Sequence, residues 1–402
     1  MNLDHASNQA GPKEERLARR DWILLPLLSL ATILLLLGVV EFFVWQGFSP
    51  PHLGPDAHLG WGSCTTFSPH TGVRGVPNTT CWENSYDDRL VEYKFNNCGY
   101  RGDTSCGPKQ PGVYRIVLIG SSYSLGDMVA WKNTFAAHLL QELTRLTGRK
   151  VEIYDEGMIW GAPHSTYLRF DHVLHESPGL ILWVLTPWDI QYVTLVAPVS
   201  IFDQTNKAQL DQLSPAARLG RVLGAVAHNN VPPAASKIIP NARIVLRHFI
   251  YESEGAQQYV QSYLMNGDDQ AGYLKADLSP AWQKRLREFA ADMETMQQKV
   301  HAAGIPMVAT LAPDRPLAAM LSMGDPPPGR NPFALDNELR SIVTTDGAVY
   351  LDVLPGFRPI PESQRYFFPV DGHPDAQGQA ILSRLLAKPL PAAPCLSFAL
   401  PI

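Results

Sequence analysis

From Trp22 to Val40 the chain carries no charged side chain and is dominated by Leu, Ile and Val. The apolar character continues through Glu41 into Phe42, Phe43, Val44 and Trp45. At about 1.5 Å rise per residue, a helix of this length matches the roughly 30 Å hydrocarbon core of a bilayer. Lys13, Arg16, Arg19 and Arg20 precede the run, and Trp22 and Trp45 bracket it. That is the charge and aromatic pattern of a single span with its start in the cytoplasm. The pattern predicts a cytoplasmic tail over residues 1–21, a transmembrane anchor over 22–45, and everything afterwards on the extracytoplasmic side. A cleaved signal peptide has a shorter apolar core and a small-residue cleavage site, which this segment lacks.

No second run of this length follows, which excludes a multi-span transporter. The chain is 45% hydrophobic and 18% charged, too apolar to remain disordered. Lys and Arg number 33 against 38 acids, and no basic block lies beyond the first twenty residues. Broad nucleic-acid binding is excluded on that ground.

Residues 46–110 are rich in Gly, Pro, Asn and Cys and read as an irregular linker from the membrane to a folded domain. Cys64, Cys81, Cys98 and Cys106 cluster there, and Cys395 stands alone. An extracytoplasmic compartment permits disulfides. Four cysteines allow three pairings; nearness in sequence suggests Cys98 with Cys106. No close C-x-x-C pair favours zinc.

Residues 111–388 alternate short apolar runs with helical patterns. Strands are expected at Val113–Ile119, Val151–Tyr154, Leu180–Leu185, Met307–Leu311 and Ala348–Asp352. Helices are expected at Thr134–Thr147, from Pro280 to about Ala303, and at Asp375–Leu386. The alternation predicts an α/β domain with a parallel sheet covered by helices on both faces. Residues 191–278 lose the pattern and read as an insertion that can form a cap or a protein-partner surface. Residues 389–402 read as a tail.

In an open α/β sheet, ligands bind at the carboxyl ends of strands. The first such end reads Gly120-Ser-Ser-Tyr-Ser-Leu-Gly126-Asp127 and offers a serine hydroxyl as a nucleophile. Far along the chain, Asp371-Gly-His373-Pro-Asp375 offers an imidazole with a carboxylate two residues away. His373 can take a serine proton, and Asp371 can fix its tautomer and stabilise the cation.

Together these blocks resemble the SGNH (GDSL-like) hydrolase family, in its membrane-anchored bacterial form. The resemblance starts at Asn97-Cys-Gly-Tyr-Arg-Gly102, passes through Arg115 to Gly126 and ends at Asp371-Gly-His373-Pro-Asp-Ala-Gln-Gly378. It implies a flavodoxin-like three-layer αβα sandwich and acyl transfer through Ser122, His373 and Asp371. Several positions depart from the family pattern. Ser121 stands where the family has Asp, and Asp155-Glu-Gly157-Met-Ile-Trp160-Gly161 replaces N-x-G-x-x-G. Thr186-Pro-Trp188-Asp189 replaces G-x-N-D. On this reading Gly161 and Trp188 are the oxyanion donors, and no metal or organic cofactor is implied. The function expected is an extracytoplasmic serine esterase or acetyltransferase acting on O-acyl esters of envelope or secreted glycans. The alternative is a catalytically degenerate member serving as a binding or assembly module.

Overall fold

The computed structural model describes residues 21–48, 64–68, 71–84, 90–196 and 248–392, apart from 252 and 346. Cys395, the 389–402 tail beyond residue 392 and most of the 191–278 insertion lie outside the described residues. The chain divides into two units, Met1–Ser49 and Pro50–Ile402.

The described residues of the first unit form one helix, α1 (Asp21–Phe48), with Pro26 near its start. Its described side chains, from Leu24 to Val39, are all exposed. No helix is long and apolar enough to cross a membrane when only the described residues are considered.

The second unit is built on a five-stranded, wholly parallel sheet. Its strands are β5 (Tyr114–Gly120), β6 (Val151–Asp155), β7 (Leu180–Leu185), β8 (Met307–Leu311) and β9 (Val349–Tyr350). Their spatial order is β6-β5-β7-β8-β9. This is the doubly wound order whose chain reverses direction between β5 and β7. All six residues of β7 are buried, as a strand covered on both faces requires. Burying each Leu, Ile or Val contributes about 1.5–3 kcal/mol relative to leaving it in water.

Right-handed crossovers place α3 (Phe135–Thr147) on one face of the sheet. They place α4 (Pro163–His175), α7 (Pro280–Ala303) and α9 (Ala334–Thr345) on the other. The last helix, α10 (Ala376–Ala387), packs against α3. The termini follow from local chemistry. Thr134 and Ser279 cap α3 and α7 through their hydroxyls, and Gly148 and Gly304 end them in the left-handed conformation.

The Cys-rich stretch is not irregular, contrary to the composition-based reading. It forms two antiparallel hairpins, β1 (Thr65–Ser68) with β2 (Gly72–Gly75) and β3 (Thr80–Asn84) with β4 (Leu90–Lys94). Cys64 pairs with Cys81 and Cys98 with Cys106. Val73, Val91, Tyr93 and Phe95 pack there against Leu125 and Met158 of the α/β domain. This segment therefore shares a core with the loops that carry the site. Asn96, one residue before the segment quoted from the sequence, organises the turn: its side-chain oxygen accepts from the Cys98 and Tyr100 N–H groups at 2.8 and 3.0 Å.

Candidate active site

Strand β5 ends at Gly120, whose φ of +148° lies outside the range of ordinary L residues. A Cβ there would meet Ser124 Oγ at 2.0 Å and Val184 O at 2.6 Å. Only glycine lets the chain turn this sharply into the short helix α2 (Ser122–Leu125). The turn sets Ser122 at the first helical position, at the carboxyl end of the sheet where strand order reverses.

His373 arrives from the opposite end of the chain. Phe368 N–H donates to His373 O at 2.8 Å and Gly372 N–H to Phe368 O at 3.0 Å, closing a tight loop just before α10. Gly372 adopts φ +89°, which a side chain would strain. His373 Nε2 lies 2.7 Å from Ser122 Oγ. On the other side of the ring, Nδ1 is held by a short contact to Asp371 Oδ1, which also accepts the His373 backbone N–H at 3.0 Å. Tyr123 stacks obliquely on the imidazole, 5.0 Å between ring centres, and donates its hydroxyl to Gly372 O at 3.2 Å. The three residues singled out in the sequence thus form one hydrogen-bonded chain across 251 positions of sequence.

Burial alone would lower the His373 pKa, but the attraction and hydrogen bond of Asp371 outweigh it, helped by Asp127 and Asp189. The imidazole is pushed up to about 9. Asp371 is correspondingly lowered: burial opposes its ionisation, and the facing His373 more than offsets that.

The two expected oxyanion donors are placed differently. Gly161 gives its N–H to Met158 O at 2.8 Å, so an oxyanion would compete with that bond. Its lack of a side chain has another cause, since a Cβ would come within 2.9 Å of Gly120 O and 3.3 Å of Ser121 Cα. Trp160, where the family pattern expects glycine, has φ +60°. The left-handed conformation costs a side-chain-bearing residue about 1–2 kcal/mol. Trp188 opens α5 (Pro187–Gln191), and its indole lines the cavity beside the triad. Behind it, Asp189 is buried and accepts from Thr186 N–H and Oγ at 2.6 and 2.9 Å. Burial pushes Asp189 up to about 7, opposed by the facing Ser121 hydroxyl and by Thr186.

The sequence reading gave no structural role to the supports beneath α2. Arg101 is 1% exposed, and its guanidinium donates to Leu125 O, Gly126 O and Val129 O at 2.7, 2.6 and 2.5 Å. The same group lies 4.1 Å over the Tyr93 ring, and the Tyr93 hydroxyl donates to the buried Asp127. Arg101 thereby holds the turn that follows Ser122. Arg101→Ala removes the buried donor these three carbonyls share, leaving Gly126 O only its longer bond from Val129 N–H at 3.4 Å, and is expected to lower the unfolding free energy by about 3–5 kcal/mol. Urea unfolding of the full chain in detergent measures this loss.

A cavity of about 600 Å³ opens at the triad. Trp160, Trp188 and Tyr192 form one part of its lining, and Tyr259 and Tyr263 of α6 (Ala256–Asn266) together with Tyr273 a second. The second part comes from the end of the 191–278 insertion. Its spacing of four between Tyr259 and Tyr263 was the available sequence signal. Asp314 and Arg315, at the start of α8 (Arg315–Ser322), complete the floor; their position after β8 marked them equally well.

No family model matches the chain. No curated protein matches it either. Among solved structures, a lipase/acylhydrolase from Enterococcus faecalis is 12% identical with a TM-score of 0.37, covering 69% of this chain and 96% of its own. An α/β hydrolase enzyme from the metagenome of Lake Arreo, Spain, is 12% identical with a TM-score of 0.36, covering 71% and 96%. A catalytic mutant of an acetylxylan esterase from Geobacillus stearothermophilus is 9% identical with a TM-score of 0.36, covering 68% and 93%. The chemistry below rests on the site's own geometry.

Proposed function

We propose that the protein is a serine esterase or acyltransferase that acts on O-acyl esters, on the extracytoplasmic side of a membrane to which α1 anchors it. The observation that carries the chemistry is the chain Ser122 Oγ, His373 Nε2, His373 Nδ1, Asp371. A hydroxyl within hydrogen-bond reach of an imidazole that a carboxylate orients becomes an activated nucleophile when that imidazole is neutral.

In this reading Ser122 Oγ attacks the ester carbonyl as its proton passes to His373 Nε2. The imidazolium then protonates the leaving alcohol, and the acyl group remains on Ser122. Water or a second hydroxyl, deprotonated by His373, attacks the acyl-serine and regenerates the enzyme. Asp371 stays ionised throughout. The Ser122 N–H, at the first turn of α2, is directed to the developing oxyanion, and the Trp188 indole contributes from the cavity wall.

Support for the anchor is the uncharged run after Lys13, Arg16, Arg19 and Arg20, carried on a helix of 28 residues. The support lies in the sequence run, whose length is near the roughly 20 apolar residues a bilayer crossing takes. The two disulfides suit an oxidising compartment. Glycans are the O-acylated polymers such a location brings within reach.

A membrane-impermeant fluorophosphonate applied to intact spheroplasts tests both parts. The expected result is labelling that disappears in Ser122→Ala. Labelling only by a permeant probe contradicts the placement; no labelling by either probe contradicts the chemistry.

A further inference from the structure

We infer that the cavity beside Ser122 is built for the uncharged pyranose ring of an O-acyl glycoside, packed on Trp188 with Trp160 at its edge, and that it turns away anionic sugars. This rests on the ester-cleaving reading above and adds the alcohol half of the ester.

Three observations converge on it. The first is the nature of the walls. Trp188 lies 4.9 Å from Tyr192 and 6.1 Å from Trp160, ring centre to ring centre, tilted by 42° and 56°. Flat faces carrying N–H or O–H groups at their edges suit a ring with C–H on its faces and hydroxyls around its rim. Burial holds the Tyr259 and Tyr263 phenols above their ordinary range, so they remain hydroxyl donors at working pH. Gln191 and Gln270 add amides to the lining. An alkyl chain would desolvate these edges without replacing their hydrogen bonds.

The second observation is charge. Glu83, Asp127, Asp314 and Asp371 line the cavity, against Arg315 and His373. Arg315 keeps its charge but is pinned to the lining: it lies 4.7 and 4.5 Å over the Tyr251 and Tyr259 rings and donates to Pro369 O at 2.7 Å. Asp314 accepts the Tyr273 hydroxyl at 2.7 and 2.9 Å to its two oxygens. Burial pushes Asp314 up to about 6, so it is ionised at pH 8. A ligand carboxylate entering here meets carboxylates of like sign.

The third is strain. Trp160 holds a left-handed backbone that glycine would adopt freely, with its bulky indole at the cavity wall. Such an outlier points to a side chain kept for what it touches.

The test is binding to full-length Ser122→Ala in detergent at pH 8, read by tryptophan fluorescence. Ligands are an acetylated methyl glucopyranoside, the corresponding acetylated methyl glucuronoside and a palmitoyl ester of glycerol. The glucopyranoside is expected to bind about tenfold more tightly than the glucuronoside. Trp188→Ala in this background weakens it roughly tenfold, and Asp314→Asn narrows the gap between the two sugars. Trp160→Gly, compatible with the backbone at that position, weakens it as well and stands in if Trp188→Ala does not fold. Equal or tighter binding of the glucuronoside, preference for the palmitoyl ester, or no effect of the folded tryptophan variants overturns the proposal. Hydrolysis of 4-nitrophenyl acetate by the native chain is a separate readout. Its absence alongside sugar discrimination refutes the esterase reading alone, and its presence without discrimination refutes the subsite alone.

Discussion

Ser122→Ala is expected to lower kcat for 4-nitrophenyl acetate by at least about 10⁴-fold, and adding His373→Ala to cost almost nothing more. The reason is geometric. With Oγ 2.7 Å from Nε2, nucleophile and base act as one unit, so removing either leaves the other idle. Steady-state kinetics on the two single variants and the double variant measures the coupling. Losses that multiply would mean that Ser122 and His373 act independently, and this arrangement would then not be the catalytic one.

Asp371→Asn should produce a loss of comparable size, about 10⁴-fold in kcat, with a signature that a merely structural defect lacks. The base works only when neutral. Because Asp371 raises the imidazole to about 9, the native rise of kcat/KM with pH lies above the ordinary histidine value of about 6.5. Asparagine removes the charge that favours the imidazolium, so the residual activity should rise at lower pH. Burial, no longer offset, pushes in the same direction. A pH–rate profile of both proteins between pH 5 and 10 reads the shift. An unmoved acidic limb in Asp371→Asn would mean that the titrating group is not His373.

Much of the catalytic constellation was legible because it depends on short local turns. Gly120-Ser-Ser and Asp371-Gly-His each mark a tight turn, so a serine there and Asp371 with His373 could be proposed from the residues, and the family resemblance pointed to Ser122 among the serines. The parallel sheet was legible for a similar reason, since Leu180–Leu185 is almost continuously apolar and short apolar runs alternate with helical patterns. The last strand, expected over Ala348–Asp352, shortens to Val349–Tyr350, because an edge position pairs on one side only.

Other parts depend on distant contacts and were not legible. Helix α4 carries His164, Arg169, His172 and His175 among few apolar residues, which blurs its period; Arg169 is nevertheless buried beside Glu156. The hairpins over 65–94 have strands of only four or five residues in a stretch that contains Gly, Pro and Asn. Composition there points to a linker, whereas packing against Leu125 and Met158 makes a supporting layer. Gly161 was assigned to the oxyanion from motif spacing, but its N–H is spent within its own turn. Tyr259 and Tyr263 belong to a segment distant in sequence from Ser122, Trp160 and His373, with which they line one cavity.

The most direct measurement is to mix the full-length protein with 4-nitrophenyl acetate at pH 8, quench with acid within milliseconds, and locate the acetyl group by peptide mass spectrometry. Acetate on Ser122, absent from the Ser122→Ala protein, is the result expected. Acetate on another side chain, with turnover surviving in Ser122→Ala, would contradict the account.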